Sequence, residues 1–500
     1  MSDSIAAAAA PASPDLQALA DVLGPSAREL LAQVQAFLRQ PPTPERTYAF
    51  ERQVAATLRE AGRALVERVY NELEPGRLED CPLRLRYAGE TYRRRPKSRN
   101  RIGTLFGAIE LRRYLYEPLE RGERALFPLE VQLGIEAGLA TPALAERVGC
   151  WAAEHEQAQV LALLRQEHGV TWSAASMRKV TAAVRDGLAS FRAASQEARL
   201  LELLGKAFTA RGKHRPVLAA GRDGIMVPLR GEGYHEAATA TVSVYDRRGK
   251  RLGTVYLGRM PEAGQGALSG QVTALLTAVL AAWHARGGLA PRLAYVTDAG
   301  DHPRTYYRRV LRRLPDPWRP GHALAWEWVV DFWHACGYVQ HLAEGLFGAG
   351  ARAWGWFRKW RRWLRDRCRG VTEVVRSAMW HYNHGPRRTK AGEEVFWKGY
   401  RYLRKHARWM RYADCRRRGL PIGSGVTEAA CKTVFAERLK RSGMTWGREG
   451  GQVIVDLRTL VLSGVWQPTH ARYLASRPQP TIVKQASDGQ HQDQTLTFAA

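Results

Sequence analysis

The sequence predicts an α/β catalytic core interrupted by a helical insertion and preceded by a mainly α-helical N-terminal region that contains a small β hairpin. Three observations lead there. Apolar residues recur at helical spacing from Leu16 onward. Runs of β-branched and aromatic residues bounded by turn residues occur near 103–118 and again from 215. An arginine- and tryptophan-rich helical stretch then separates the last strand from a glycine-flanked helix. At 500 residues the chain exceeds what one hydrophobic core usually organises, and its 45% apolar content is enough to bury more than one.

Residues 1–15, MSDSIAAAAAPASPD, carry an acidic residue and an alanine run without a basic start, so they read as a disordered leader rather than a signal peptide. Region 16–80 is helical: Leu16, Leu19, Leu23, Leu30, Leu31, Val34 and Leu38 keep helical spacing, and 50–73 continues it after a proline break. Region 81–133 changes character. GTLFGAIELRRYLYEP predicts a hairpin, and TYRRRPKSRNR precedes it with Arg93, Arg94, Arg95, Lys97, Arg99 and Arg101. Such a charge run reads as a solvated loop or as a strip that follows a nucleic-acid backbone. Region 134–205 is helical again and contains a helix-turn-helix candidate. One helix ends near Glu167-His168-Gly169, and Ser173 caps a second that carries Ser176, Arg178 and Lys179. Two ordinary packed helices would give the same pattern.

Region 215–345 holds the α/β core. RPVLAAGRDGIMVPL, HEAATATVSVYD and KRLGTVYLGRM predict three successive strands, the last two joined by the turn Asp246-Arg247-Arg248-Gly249. The helix QVTALLTAVLAAWHARG, a strand in PRLAYVTDAGD, the helix TYYRRVLRRL and a short strand in WEWVVDFWHA follow. Three strands, then helix, strand, helix, strand, is the order of an RNase H-like layer, although propensity alone also allows other α/β folds. Region 346–420 is the helical insertion. Its Trp354, Trp356, Trp360, Trp363, Trp380, Trp397 and Trp409 read mainly as core residues. Region 421–466 is a long helical stretch that completes the core, and the polar, proline-dotted tail 476–500 reads as disordered.

Lysine and arginine number 76 against 48 acids, a net charge of +28. Such an excess suits a polyanion, because neutralised phosphates release condensed counterions, although a merely sticky basic protein has it too. Arginine predominates, which favours forked contacts to phosphate oxygens. The six cysteines include no CxxC pair and fit reduced thiols of a cytosolic protein. No run in the sequence reads as the ~18 apolar residues that a membrane span needs. The expectation is a soluble, cytoplasmic, nucleoid-associated protein without a membrane partner.

Three acids stand where a metal site can assemble: Asp223 in the first strand, Asp298 at the end of the fourth, and Glu428 on the helix after the insertion. Cleaving a phosphodiester uses two divalent ions about 4 Å apart, and hard cations prefer carboxylate oxygens. Each acid also has a plainer explanation. Asp223-Gly224 is a common turn dipeptide, Asp298 can cap the following helix, and Glu428 can belong to a capping box. Asp301 and Asp331 compete with Asp298 as second ligand. Asp331 and His334 form a D-x-x-H unit that reads either as packing or as an auxiliary pair beside the metals.

The segment LPIGSGVTEAACKTVFAERLKRSGMTWGREGGQVIVDLRTLVLSGVWQ resembles the C-terminal signature of ISKra-type insertion-sequence transposases, which are bacterial DDE transposases. VVDFWHACGYVQHLAE, AYVTDAGDHPRTYYRRVL and RDGIMVPL resemble that family in the same order, so the similarity covers about 215–466. The resemblance implies a catalytic and metal-binding triad of Asp223, Asp298 and Glu428, with Asp331 and His334 as auxiliaries. It departs from the family at Ile225, where a small or hydroxylated residue is expected. It also lacks the paired cysteines that some relatives carry near Cys81, which removes any zinc claim.

The function expected from this is a DNA transposase with two Mg²⁺ (or Mn²⁺) ions per site. It would cut phosphodiester bonds at transposon ends and join the 3′-hydroxyl to target DNA, as a homo-oligomer on double-stranded DNA. Arg93, Arg94, Arg95, Arg178, Lys179, Lys432, Arg438, Lys440 and Arg441 are the expected DNA contacts, with Trp446 as a stacking surface. Two alternatives stand beside it: a structure-selective nuclease of the same fold, and a non-catalytic DNA-binding regulator derived from a transposase.

Overall fold

The computed structural model describes residues 16–120, 124–483 and 493–495. The leader expected at 1–15 lies outside these residues. Two compact units make up the chain, one formed by 1–188 with 470–500 and the other by 189–469.

The first unit opens with two long helices, α1 (Leu16–Leu38) and α2 (Pro44–Glu72). Thr43 starts α2 by accepting the Arg46 N–H on its side chain, with Pro44 fixing φ at the first helical position. A meander follows: β1 (Arg84–Tyr87), β2 (Glu90–Thr104) and β3 (Gly107–Pro118). The hairpin is longer than the sequence suggested, because the whole basic run belongs to β2 rather than to a loop. The pleat explains this. Ile102, Ile109 and Leu111 bury one face against Val66 and Tyr70 of α2 and Leu73 just after it, while Arg93, Arg95, Lys97, Arg99 and Arg101 stay exposed. A bulge between Arg94 and Lys97 accommodates Pro96, which has no N–H for the ladder. Beyond lie α3 (Pro128–Gln132), α4 (Pro142–Glu154), α5 (Gln157–His168) and α6 (Ala174–Thr209). The turn expected after His168 is present. Gly169 adopts φ 63° and closes α5, and Ser173 accepts the Ser176 N–H at 3.1 Å. The second helix is 36 residues long, far more than a helix-turn-helix requires.

The second unit is built on a five-stranded sheet. Strands β4 (Val217–Leu229), β5 (Gly233–Tyr245) and β6 (Arg251–Arg259) form an antiparallel meander. After α7 (Gly266–Ala285), β7 (Arg292–Thr297) runs parallel to β4; after α8 (Asp301–Arg309), β8 (Trp326–Val330) runs parallel to β7. The spatial order is β6-β5-β4-β7-β8. Every strand and helix expected between 215 and 335 is present in that order. One expectation needs correction: the stretch Ala263–Ala285 is long and apolar enough to cross a membrane by length and composition. Here Leu268, Val272, Leu276, Val279 and Leu280 of α7 are buried in the core beside the sheet.

Helix α9 (Phe332–Phe347) follows β8, and α10 (Ala351–Asp366), α11 (Gly370–His384), α12 (Lys390–His406) and α13 (Tyr412–Arg417) lie in the insertion expected at 346–420. Trp356 and Trp360 are buried, and Trp363, Trp397 and Trp409 pack against the same core. Trp354 and Trp380 depart from the core expectation and are exposed. The long helical stretch expected at 421–466 is present but divided. It consists of α14 (Gly425–Ala430), a π-helical turn (Cys431–Ala436), the short α15 (Glu437–Leu439) and, after a break, α16 (Arg448–Leu462). In the break Gly443 takes φ 74°, and Trp446 exchanges backbone hydrogen bonds with Pro228 and Arg230 at the end of β4. Of the tail expected to be disordered, 484–492 and 496–500 lie outside the described residues, and the described part holds two short strands. After α17 (Trp466–Ala475), β9 (Thr481–Val483) pairs with β1 at Leu85↔Ile482, and β10 (Asp493–Thr495) pairs with β9.

Candidate active site

The parallel register brings three aspartates to one level. Gly221 of β4 pairs with Val296 of β7, so Asp223 and Asp298 each lie two residues further along neighbouring strands. Thr297 pairs with Val330 of β8, so Asp331 follows at the same level one strand on. Ends of parallel strands are rigid, and they are where α/β sheets place their chemistry.

Glu428 arrives from α14, which lies against β4 and β5. The approach is close: a methyl carbon at Gly221 would stand 2.1 Å from Thr427 Oγ1. Thr427 and Thr241 share a hydroxyl hydrogen bond of 2.8 Å. One turn later the Cys431 thiol lies 3.1 Å from Thr239 Oγ1 and donates to Asp223 Oδ2 at 3.5 Å. The π-helical turn begins at this cysteine. Single π turns recur at functional sites because the extra residue re-aims the side chains that follow.

Asp223 senses the other two expected acids. Burial raises the Asp223 carboxyl above the ordinary aspartate range, and the negative charges of Asp298 and Glu428 push it the same way. The Gly224 N–H and the Cys431 thiol oppose that shift. Among the described residues no basic side chain forms an ion pair with any of the three. Their oxygens do not close into a cage, however: no group of three His, Cys, Asp or Glu among the described residues is arranged to hold an ion. Each acid turns one oxygen to a local donor instead. Asp223 Oδ1 accepts the Gly224 N–H at 2.8 Å, Asp298 Oδ1 the Gly300 N–H at 2.9 Å, and Glu428 Oε1 the Ser424 hydroxyl at 2.8 Å.

The two rivals of Asp298 are differently employed. Asp301 sits in the first turn of α8, its side chain 86% exposed and paired with Arg304 at 2.7 Å. Asp331 is fully buried, and its two oxygens accept the backbone N–H groups of His334 and Ser424. It therefore caps α9 and anchors the start of α14. His334 is exposed, edge-on to Tyr338 and Tyr402 with ring centroids 5.3 and 5.6 Å away. Tyr402 stacks on Tyr338 at 3.7 Å and donates its hydroxyl to the Asp298 carbonyl at 2.7 Å. His406 packs against Tyr402 at 4.7 Å; burial, reinforced by Lys405 and Arg304, pushes its imidazole down to about 4.

Sequence reasoning missed Tyr402, Thr239 and Cys431. Nothing local marks Tyr402, which meets Asp298 across 104 residues of chain. Ser424 did carry a signal, since it precedes Glu428 by one helical turn.

The expected DNA contacts are scattered in character. Arg93, Arg95, Arg178, Lys179, Lys432 and Lys440 are exposed, with Arg95 paired to Glu117 at 2.6 Å. Arg94 points the other way and donates to the carbonyls of Leu78 and Cys81 at 2.6 and 2.5 Å, so it holds the chain before β1 rather than facing solvent. Arg438 is buried, with its guanidinium 5.2 Å from the Trp446 ring centre, and Arg441 is half-buried and bonded to the Glu437 carbonyl. Trp446 donates its indole N–H to the Leu439 carbonyl at 2.9 Å and is not an open stacking surface. No protein-family model matches the chain, and no curated protein matches it.

Proposed function

We propose that this protein is a DDE-type DNA transposase whose second unit is an RNase H-like core, with Asp223, Asp298 and Glu428 as the catalytic acids. The observation that carries the reading is that two adjacent parallel strands and one helix bring Asp298 and Glu428 within electrostatic reach of the buried Asp223, with no basic side chain paired to the three among the described residues, in a chain of charge +28. Like charges so arranged are costly unless a cation joins them. A meander followed by two parallel strands, in the order β6-β5-β4-β7-β8, supports the fold assignment.

The donors present suit Mg²⁺ or Mn²⁺, since all three are hard oxygen ligands. Asp223, Asp298 and Glu428 would hold two such ions. Ions bound there would acidify the attacking hydroxyl and stabilise the leaving oxygen of the phosphodiester. The chain's own residues supply position. Tyr402 fixes the backbone of Asp298, Asp331 and Ser424 orient Glu428, and Cys431 with Thr239 steadies Asp223. The exposed arginines and lysines would bind transposon ends and target duplex, with a homo-oligomer joining two ends in the cytoplasm.

The test is nicking and joining of a transposon-end duplex by the full-length protein in Mg²⁺ or Mn²⁺. Wild type is expected to nick the end and join its 3′-hydroxyl to a second duplex, and Glu428→Gln to do neither. Full nicking by Glu428→Gln would remove the catalytic assignment. Cleavage of branched DNA without joining would make the protein a nuclease, and binding without cleavage a regulator.

A further inference from the structure

Trp333 is an exposed indole beside Asp331 and the loop that leads to Glu428. It lies two residues after Asp331, on the first turn of α9, and 61% of its surface is exposed. A methyl carbon at Gly423 would stand 3.4 Å from its Cδ1 and 3.6 Å from Asp331 Oδ2, so the indole lies along the loop that leads to Glu428. That loop is tied down. Phe332 donates its N–H to the Ile422 carbonyl at 2.9 Å, and the Ser424 N–H is held by Asp331. The other neighbour is a cation: the Arg361 guanidinium is 5.9 Å from the indole centroid, and no carboxylate pairs with it among the described residues. A rigidly footed, exposed indole flanked by an arginine is the combination that holds a base on its face and the adjoining phosphate on its edge.

We propose that Trp333 is a stacking platform for an unpaired nucleobase next to the scissile phosphate, with Arg361 on that nucleotide's phosphate. The inference rests on reading the three carboxylates as a phosphodiester-processing site. Trp333 is then a positioning residue. It keeps the strand from sliding past Asp298 and Glu428, and it selects DNA that can release a base there, such as a nicked, gapped or frayed end.

The experiment uses the full-length Glu428→Gln protein with gapped duplexes that carry 2-aminopurine at successive unpaired positions, in Mg²⁺. With Trp333 present, one position is expected to be quenched; Trp333→Ala brightens that position several-fold and weakens binding of the gapped duplex about 10- to 100-fold. Trp333→Phe restores the quenching, and binding of fully paired duplex is unchanged throughout. Equal quenching in Trp333→Ala, or a loss that Trp333→Phe shares in full, overturns the platform. The two readings fail separately. If the protein with native Glu428 does not nick any duplex, the catalytic reading falls and the platform with it. If it nicks at the wild-type rate and position with Trp333→Ala, the platform alone falls.

Discussion

Asp298 and Asp331 stand at one level of neighbouring strands, yet their side chains have different work. Asp331 has both oxygens spent on backbone N–H groups in a fully buried setting. Asp331→Ala would leave two buried donors without acceptors, at about 1–3 kcal/mol each. It is expected to lower the melting temperature and, through Ser424, to slow nicking about 10- to 100-fold. A melting temperature equal to wild type would refute this account. Asp223 makes a pH prediction. Its folded pKa lies above its unfolded one, chiefly through burial, so ionising it costs the fold. Below the unfolded value both states are protonated and nothing is lost. The cost grows as pH rises between the two values and is complete above the folded one. Asp223→Asn should therefore melt higher than wild type at alkaline and neutral pH, with the gain fading as acid is added. A gain independent of pH would point to packing instead. The sequence marked Asp223, Asp298 and Glu428 by residue type and order, but Asp331's use as an anchor depends on Ser424, 93 residues away.

At the scale of elements, the seat of Glu428 is the contact between α14 and β4. Gly221 is needed there because Thr427 occupies the space a side chain would take. Gly221→Ala should push α14 off the strand, destabilise the second unit by about 1–3 kcal/mol and depress nicking more than DNA binding. Chemical denaturation with parallel rate and affinity measurements checks it; an unchanged rate would mean that α14 adapts. The strands from 217 to 330 were legible because alternation and turn residues are local signals. The division of the last helical stretch was not. Its π turn begins at Cys431, which meets Thr239 and Asp223 of strands about 200 positions earlier. Arg438 was misplaced although an α-helical period already sets it on the buried face of Thr427, Cys431 and Val434.

At the scale of the whole molecule, charge and metal linkage give separable tests. The logarithm of affinity for random duplex should fall linearly with the logarithm of salt concentration. Replacing Arg93, Arg95, Lys97, Arg99 and Arg101 with alanine should reduce that slope by about 0.9 for each phosphate contact removed. Because Arg95 and Arg99 already face Glu117 and Glu110, their contribution is expected to be smaller than that of the others. An unchanged slope would show that the stripe does not meet DNA. Mg²⁺ or Mn²⁺ at about 100 times its dissociation constant should stabilise wild type by about 2.7 kcal/mol, and Asp223→Asn or Glu428→Gln much less. Equal metal-induced shifts in all three proteins would argue against a shared ion site.

The amino-acid order alone determined the helices, the succession of strands, the basic balance and the acids worth watching, because periodicity, turn chemistry and net charge are properties of neighbouring residues. Only the tertiary structure decided that β7 lands beside β4 with Asp298 level with Asp223, that Asp331 turns inward, and that Arg94 and Arg438 are spent on packing. Those outcomes depend on strand register and on close approaches between segments far apart in the chain, and no local pattern encodes either.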